Sequence, residues 1–221
     1  MGILQSIINR IFYIFQGYNW LIIPAALLTV VFHEISHGFA AYLLGDQTAK
    51  DAQRLSLNPI KHIDPIGVLC MVLFRFGWAK PVPVNPYYFK NKKLGMAIVA
   101  VAGPLSNVIF AVISFVILRV ISIIPVYSET VYAVLEVVVI FISMLASLNI
   151  GLAVFNLIPI PPLDGSKILN AVLPANVYYK ILKYEQYGFL VLLILLNFDP
   201  FMGLISYITS ALYNGLLSLV F

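Results

Sequence analysis

Residues four apart share one face of a helix, so His33 and His37 in the stretch FHEISH can turn their ring nitrogens toward one point, with Glu34 beside them. The chemistry this pattern suits is metal-assisted hydrolysis: two imidazoles ligate zinc, and the carboxylate acts as general base on the attacking water. The bland reading, two helix-interior histidines bonded to their neighbours, is the weaker one. Ionisable groups inside an apolar stretch are functional by default.

Zinc needs a third protein ligand and an open fourth position. The pattern that would extend the motif with Gly at 40 and His at 43 is absent, since Ala40 and Leu43 stand there. Cys70 is the sole cysteine, which excludes an internal disulfide and a cysteine-based zinc cluster. Of the remaining acids, Glu129 and Glu136 belong to the far end of the molecule, whereas Asp164 in FNLIPIPPLDGSKIL lies just beyond an apolar stretch that ends on the same side as His37. Topology therefore selects Asp164. The tandem prolines are expected to keep the chain extended after Asn156, and Gly165 to permit a sharp turn that folds Asp164 back. At ~1.5 Å per residue His37 lies roughly 10 Å from the end of its helix, within reach of such a turn.

These residues must be held by membrane helices. The chain of 221 residues is 62% hydrophobic and 10% charged, with mean hydropathy +0.98, far more apolar than a soluble domain. A span takes roughly 20 apolar residues, and three stretches qualify, about 20–44, 94–118 and 131–158. After KYEQYG a further apolar block runs to Phe221, broken at Asn197 to Pro200, and reads as two short helices or one span with an interfacial piece. Residues 1–18 suggest an interfacial amphipathic helix, and no removable signal peptide is read at the start. GVLCMVLFRFG, between the first two spans, is too short to cross and rich in β-formers, which predicts a re-entrant hairpin sheltered by protein. The expected fold is an all-α polytopic membrane protein: a bundle of three core helices, that β-prone hairpin, and additional C-terminal membrane helices. It forms one membrane-embedded domain over 1–221, with a catalytic core at 20–170 and accessory helices at 186–221.

Cations gather between the first two spans (Lys50, Arg54, Lys61, Arg75, Lys80, Lys90, Lys92, Lys93) and after the third (Lys167, Lys180, Lys183), while the loop between the second and third offers only Arg119. The positive-inside rule puts both cation-rich regions, and the site, on the cytoplasmic side of the cell membrane. The net charge of +4 is scattered rather than massed in a stripe, so nucleic acid is not an expected partner.

FHEISH, AGPLSN at Ala102 to Asn107 and NLIPIPPLDG at Asn156 to Gly165 together resemble the signature segments of the site-2 protease family of intramembrane zinc metalloproteases. The likeness extends through residues 53–59, HIDPIG and FGWAKPVPVNP, covers about residues 30–170, and is to the compact branch without PDZ or CBS domains. It implies one zinc per chain held by His33, His37 and Asp164, with Glu34 as general base and Asn156 steadying the tetrahedral oxyanion. The implied partners are a transmembrane protein or peptide substrate and the bilayer; an oligomer is possible but cannot be inferred. The rival reading is a multi-pass transporter or metal-binding scaffold that keeps the ligands without hydrolysis. Its mark would be loss of Glu34, which is present.

A helical substrate must be locally extended before its carbonyl can be attacked, and bare backbone groups in an apolar setting cost several kcal/mol each. A strand edge over residues 68–76, with Val68, Met71 and Leu73 as substrate-binding residues, would satisfy them by β-augmentation; the competing reading is an apolar plug. Gly103 and Asn107 are read as helix contacts with no chemical role. His62 is read as a solvated or hydrogen-bonded loop histidine, and Glu136 receives no assignment.

Overall fold

The computed structural model of the chain describes residues 16–74, 77–125, 127–174, 177 and 185–221, and at 71–74, 170, 185 and 186 the backbone alone. The expected interfacial helix at 1–18 falls almost wholly outside these residues.

Among the described residues, four helices are long and apolar enough to cross a membrane. A single 3-10 turn, Asn19–Leu21, leads into α1 (Ile22–Leu43), which carries the FHEISH stretch. Helix α2 (Pro65–Phe74) is short; α3 (Lys92–Ser122) is the longest, its first turn capped by Asn91, whose side chain accepts from Leu94 N–H at 3.1 Å. Helix α4 (Glu129–Asn156) returns antiparallel, and α5 (Asp164–Val172) begins at the LDG aspartate. The C-terminal block breaks where the sequence predicts, giving α6 (Glu185–Leu196) and α7 (Asp199–Val220) with Pro200 in the first turn of α7, where a missing N–H costs nothing. It is thus one short helix and one span.

Helices α1, α3 and α4 pack against one another. Small residues allow this, since Ala25 and Ala41 of α1, Ala100 and Ala111 of α3, and Ala146 and Ala153 of α4 are all almost fully buried. Phe115 and Ile150 are buried in the α3–α4 contact, where Ile205, Leu212 and Tyr213 of α7 lie against their cluster. Leu192 of α6 packs on Ile158 and Leu163, in the turn that carries Asp164.

The excursion between α1 and α3 differs from expectation. Its apolar stretch is a helix, not a β-hairpin: residues 65–74 form α2, and among the described residues no strand exists, only one antiparallel bridge joining Ile63 to Ala79. The segment therefore leaves and returns at one place, while its middle satisfies its own backbone groups as a helix. Asp64 starts that helix, its carboxylate accepting from the N–H groups of Ile66 and Gly67. The turn before Asp164 also differs. It is compact rather than extended, with Ile160 N–H donating to Ile158 O and Leu163 N–H to Ile160 O. Gly165 does not supply a left-handed bend; positive φ occurs at Gly17, Gly45 and Gln53. A Cβ there would stand 2.3 Å from Leu157 O and 2.5 Å from Ile158 O, so what the glycine permits is close approach of helix and turn.

Candidate metal centre

His33 and His37 both face inward from α1 and are buried, and Asp164 meets them from the first turn of α5. The two Nε2 atoms lie 3.0 Å apart, and Asp164 Oδ2 is 3.2 Å from that of His33 and 3.0 Å from that of His37. The imidazole planes are nearly perpendicular, at 89°, so their lone pairs converge instead of stacking. This trio is the one group of potential metal ligands among the described residues.

The donor set suits zinc. A tetrahedral ion with bonds of about 2.0–2.1 Å separates its ligands by roughly 3.3 Å, close to the three distances here, and two nitrogens with one carboxylate oxygen leave a fourth position open. The remaining atoms of the ligands are already engaged. His37 Nδ1–H donates to Val99 O at 2.7 Å, His33 Nδ1 lies 2.6 Å from Asn107 Oδ1, and Asp164 Oδ1 accepts from Lys167 Nζ at 3.0 Å. Each ligand is thus turned with one atom toward the centre. Room for the rings comes from Gly103 of α3, where a Cβ would stand 2.5 Å from His37 Cε1 and Nε2 and 2.6 Å from His33 Cε1. Gly103 and Asn107, read from the sequence as helix contacts only, are therefore parts of the site. The signal that could have found them was AGPLSN itself: the two lie four residues apart, on one face of α3.

Glu34 is half-buried on the neighbouring face of α1, and its Oε2 accepts from Val82 N–H at 2.9 Å. That donor belongs to the irregular segment returning from α2, which Asp46 also holds. The buried Asp46 carboxylate accepts from Asn85 N–H at 2.6 Å and Thr48 N–H at 3.0 Å, as well as from the Thr48 hydroxyl. Burial pushes this carboxyl up, but the three donors outweigh it and hold it below the ordinary carboxylate range.

Asn156 stands near the C-terminal end of α4, half-buried, with Nδ2 donating to Leu152 O at 3.1 Å. It is not brought into hydrogen-bond contact with the trio. His62 is buried rather than solvated, bonded through Nε2 to Ser56 O at 2.8 Å, and is not in the ligand group. Val68, Met71 and Leu73 all lie on α2; Val68 is exposed, and the side chains of Met71 and Leu73 fall outside the described set.

The profile of peptidase family M50 matches residues 21–197, from the start of α1 to the end of α6. Over 186 residues the chain is 40% identical to YwhC of Bacillus subtilis, whose name describes a zinc metalloprotease; the alignment covers 82% of this chain and 84% of the relative. Rip2 of Mycolicibacterium smegmatis, with a name of the same kind, is 27% identical over 217 residues, 89% of this chain and 80% of the relative. Its namesake in Mycobacterium tuberculosis is 26% identical over 187 residues, 82% and 68%. No solved structure matches the chain.

Proposed function

Because the chain belongs to peptidase family M50, the site-2 protease family, it is an intramembrane zinc metalloprotease, and we propose that it cleaves transmembrane segments at a site opening toward the cytoplasm of the cell. The observation that carries this is the convergence of buried His33, His37 and Asp164 from two helices on one point inside an apolar bundle. The cation-rich loops at the α1–α3 and α4–α6 connections support the orientation. Residues 20–170 act as the catalytic core, with 186–221 as accessory helices of the same domain.

When bound, zinc supplies the Lewis acid that polarises the scissile carbonyl and makes a water proton labile near neutral pH. Glu34 takes that proton as the water oxygen bonds to the carbonyl carbon, and delivers it to the nitrogen as the C–N bond breaks. The Val82 N–H fixes one oxygen of Glu34, leaving the other for this transfer. Asn156 donates to the oxyanion once its Nδ2 leaves Leu152 O. Lys167, on the outer oxygen of Asp164, keeps that carboxylate one-handed toward the metal. Substrate contact falls to the exposed apolar face of α2, where Ile66, Val68 and Leu69 stand out from the fold, with Met71 and Leu73 on the same helix. Recognition there is by side chains, since a helix has no free edge.

The test is cleavage of a single-pass model substrate by the purified full chain in detergent. Activity should require zinc, fall on chelation and return on zinc addition. Substrate left intact by a zinc-loaded, folded chain would favour a non-proteolytic metal-binding role.

A further inference from the structure

Behind His33 a line of buried polar side chains crosses three helices. Asn107 Nδ2 donates to Asn149 Oδ1 at 2.9 Å, and Asn149 Nδ2 in turn lies 2.8 Å from Leu145 O and 3.1 Å from Thr29 Oγ1. Thr29, Asn107 and Asn149 are each no more than 3% exposed. Burying two amides and a hydroxyl in an apolar bundle is costly unless each is bonded, and Asn149 belongs to none of the segments that resemble a known signature.

The line has a direction. Leu145 O is a backbone carbonyl and can only accept, so the amide nitrogen of Asn149 must face it. The oxygen of Asn149 then faces Asn107 and accepts, which turns the oxygen of Asn107 toward His33. An accepting oxygen 2.6 Å from Nδ1 places the imidazole proton on Nδ1 and leaves the lone pair on Nε2, the atom 3.2 Å from Asp164 Oδ2. Were the Asn107 amide reversed, its NH2 would face Nδ1, and the neutral ring would carry its proton on Nε2, the wrong atom for a ligand.

We propose that Asn149, through Asn107, is a positioning residue that holds His33 in the tautomer able to ligate zinc, with the Leu145 carbonyl as the fixed end that sets the polarity. Thr29 is a secondary acceptor. The proposal rests on His33, His37 and Asp164 being the zinc ligands.

The experiment is zinc affinity of the purified full chain by chelator competition, alongside thermal unfolding of the same samples. Asn149→Leu and Asn107→Leu should each weaken zinc binding about 10–100-fold. Because they act in series, the double variant should be no weaker than Asn107→Leu alone, whereas two separate packing defects would multiply. Asn149→Asp, neutral at this fully buried position so that its O–H donates to Leu145 O while its carbonyl oxygen accepts from Asn107 Nδ2, should retain near wild-type affinity, and this variant keeps the test open should Asn149→Leu fail to fold. Thr29→Val should change little. Wild-type affinity in folded Asn149→Leu, loss in Asn149→Asp equal to that in Asn149→Leu, or multiplying losses in the double variant would overturn the relay. His33→Ala binding zinc as wild type does would instead overturn the ligand assignment on which it rests.

Discussion

The candidate metal centre and the α2 excursion both lie in apolar stretches of the chain, yet they are built in opposite ways. At the centre, each ligand is buried and each has its outward atom bonded to a partner from another element or turn: Val99 O, Asn107 and Lys167. In the excursion the helix pairs its own backbone and exposes Ile66, Val68 and Leu69, and among the described residues it is joined to the returning segment by the Ile63–Ala79 bridge, the Lys80 N–H to His62 O bond and the close approach of Gly67 to Trp78 O. The centre turns its polar atoms inward, and the excursion turns apolar side chains outward. A reacting group must be held to a fraction of an ångström, whereas the surface proposed to receive substrate can gain from adaptability.

That contrast can be broken at the centre first. Asp164→Ala and His33→Ala should each lose stoichiometric zinc, measured by metal analysis, and with it all cleavage. Glu34→Gln should keep one zinc per chain and lose about 10²–10⁴-fold in rate. A Glu34→Gln protein cleaving at the wild-type rate would remove Glu34 from the mechanism.

At the excursion, Leu69→Pro should cost ~3 kcal/mol by breaking α2 from within, and cleavage should fall while zinc stays bound. Leu69→Ser, which keeps the helix at an exposed position, should alter stability by under about 0.5 kcal/mol. If both serve cleavage as well as wild type does, the excursion does not present substrate.

Gly103→Ala sharpens the comparison from the other side. A methyl 2.5 Å from the His37 ring and 2.6 Å from the His33 ring forces repacking at a cost of about 1–3 kcal/mol and should lower zinc affinity, detectable by chelator competition. An alanine tolerated with full affinity would mean that the imidazoles are not held by the close approach of α3.

The smallest effect is expected where the two regions meet, at Asp46. Its carboxyl is held below the ordinary range, so the contribution it makes to the fold is fully present at neutral pH and is lost as the pH falls below about 4 and the group protonates. The gap in unfolding temperature between wild type and Asp46→Ala should therefore be widest near pH 7 and close on acidification. A gap that widens as the pH falls would reverse this assignment.

Much of the centre was legible because its code is spacing. HEISH places two imidazoles and a carboxylate on one helix by the 3.6-residue turn alone, and the nearness of Asp164 to both imidazoles follows from which ends of the helices share a side. The helix break at Asn197 to Pro200 was equally plain, because proline suits a first turn. What failed was the conformation of residues 65–74. A short apolar run rich in β-branched and aromatic residues does not by itself distinguish strand from helix, and an apolar setting favours the form that pairs its own backbone. Asn107 and Gly103 are the helix contacts the sequence suggests, but which groups they contact was not legible, because a small residue or an amide on a membrane helix reads the same whether it faces a neighbour's backbone or its imidazole. Asn149 had no local signal at all; its meaning exists only through Asn107 and Leu145. Asn156 keeps its place near the turn, yet its bond to Leu152 O is the ordinary one for an amide near a helix end.

The packing of Leu192 on Ile158 and Leu163 carries a consequence in time. His33 and His37 leave the ribosome 131 and 127 residues ahead of Asp164, and the turn that aims Asp164 is clamped by α6, which is made later still. During synthesis the chain therefore holds His33, Glu34 and His37 before Asp164 exists, and the turn that carries Asp164 gains its packing partner Leu192 last.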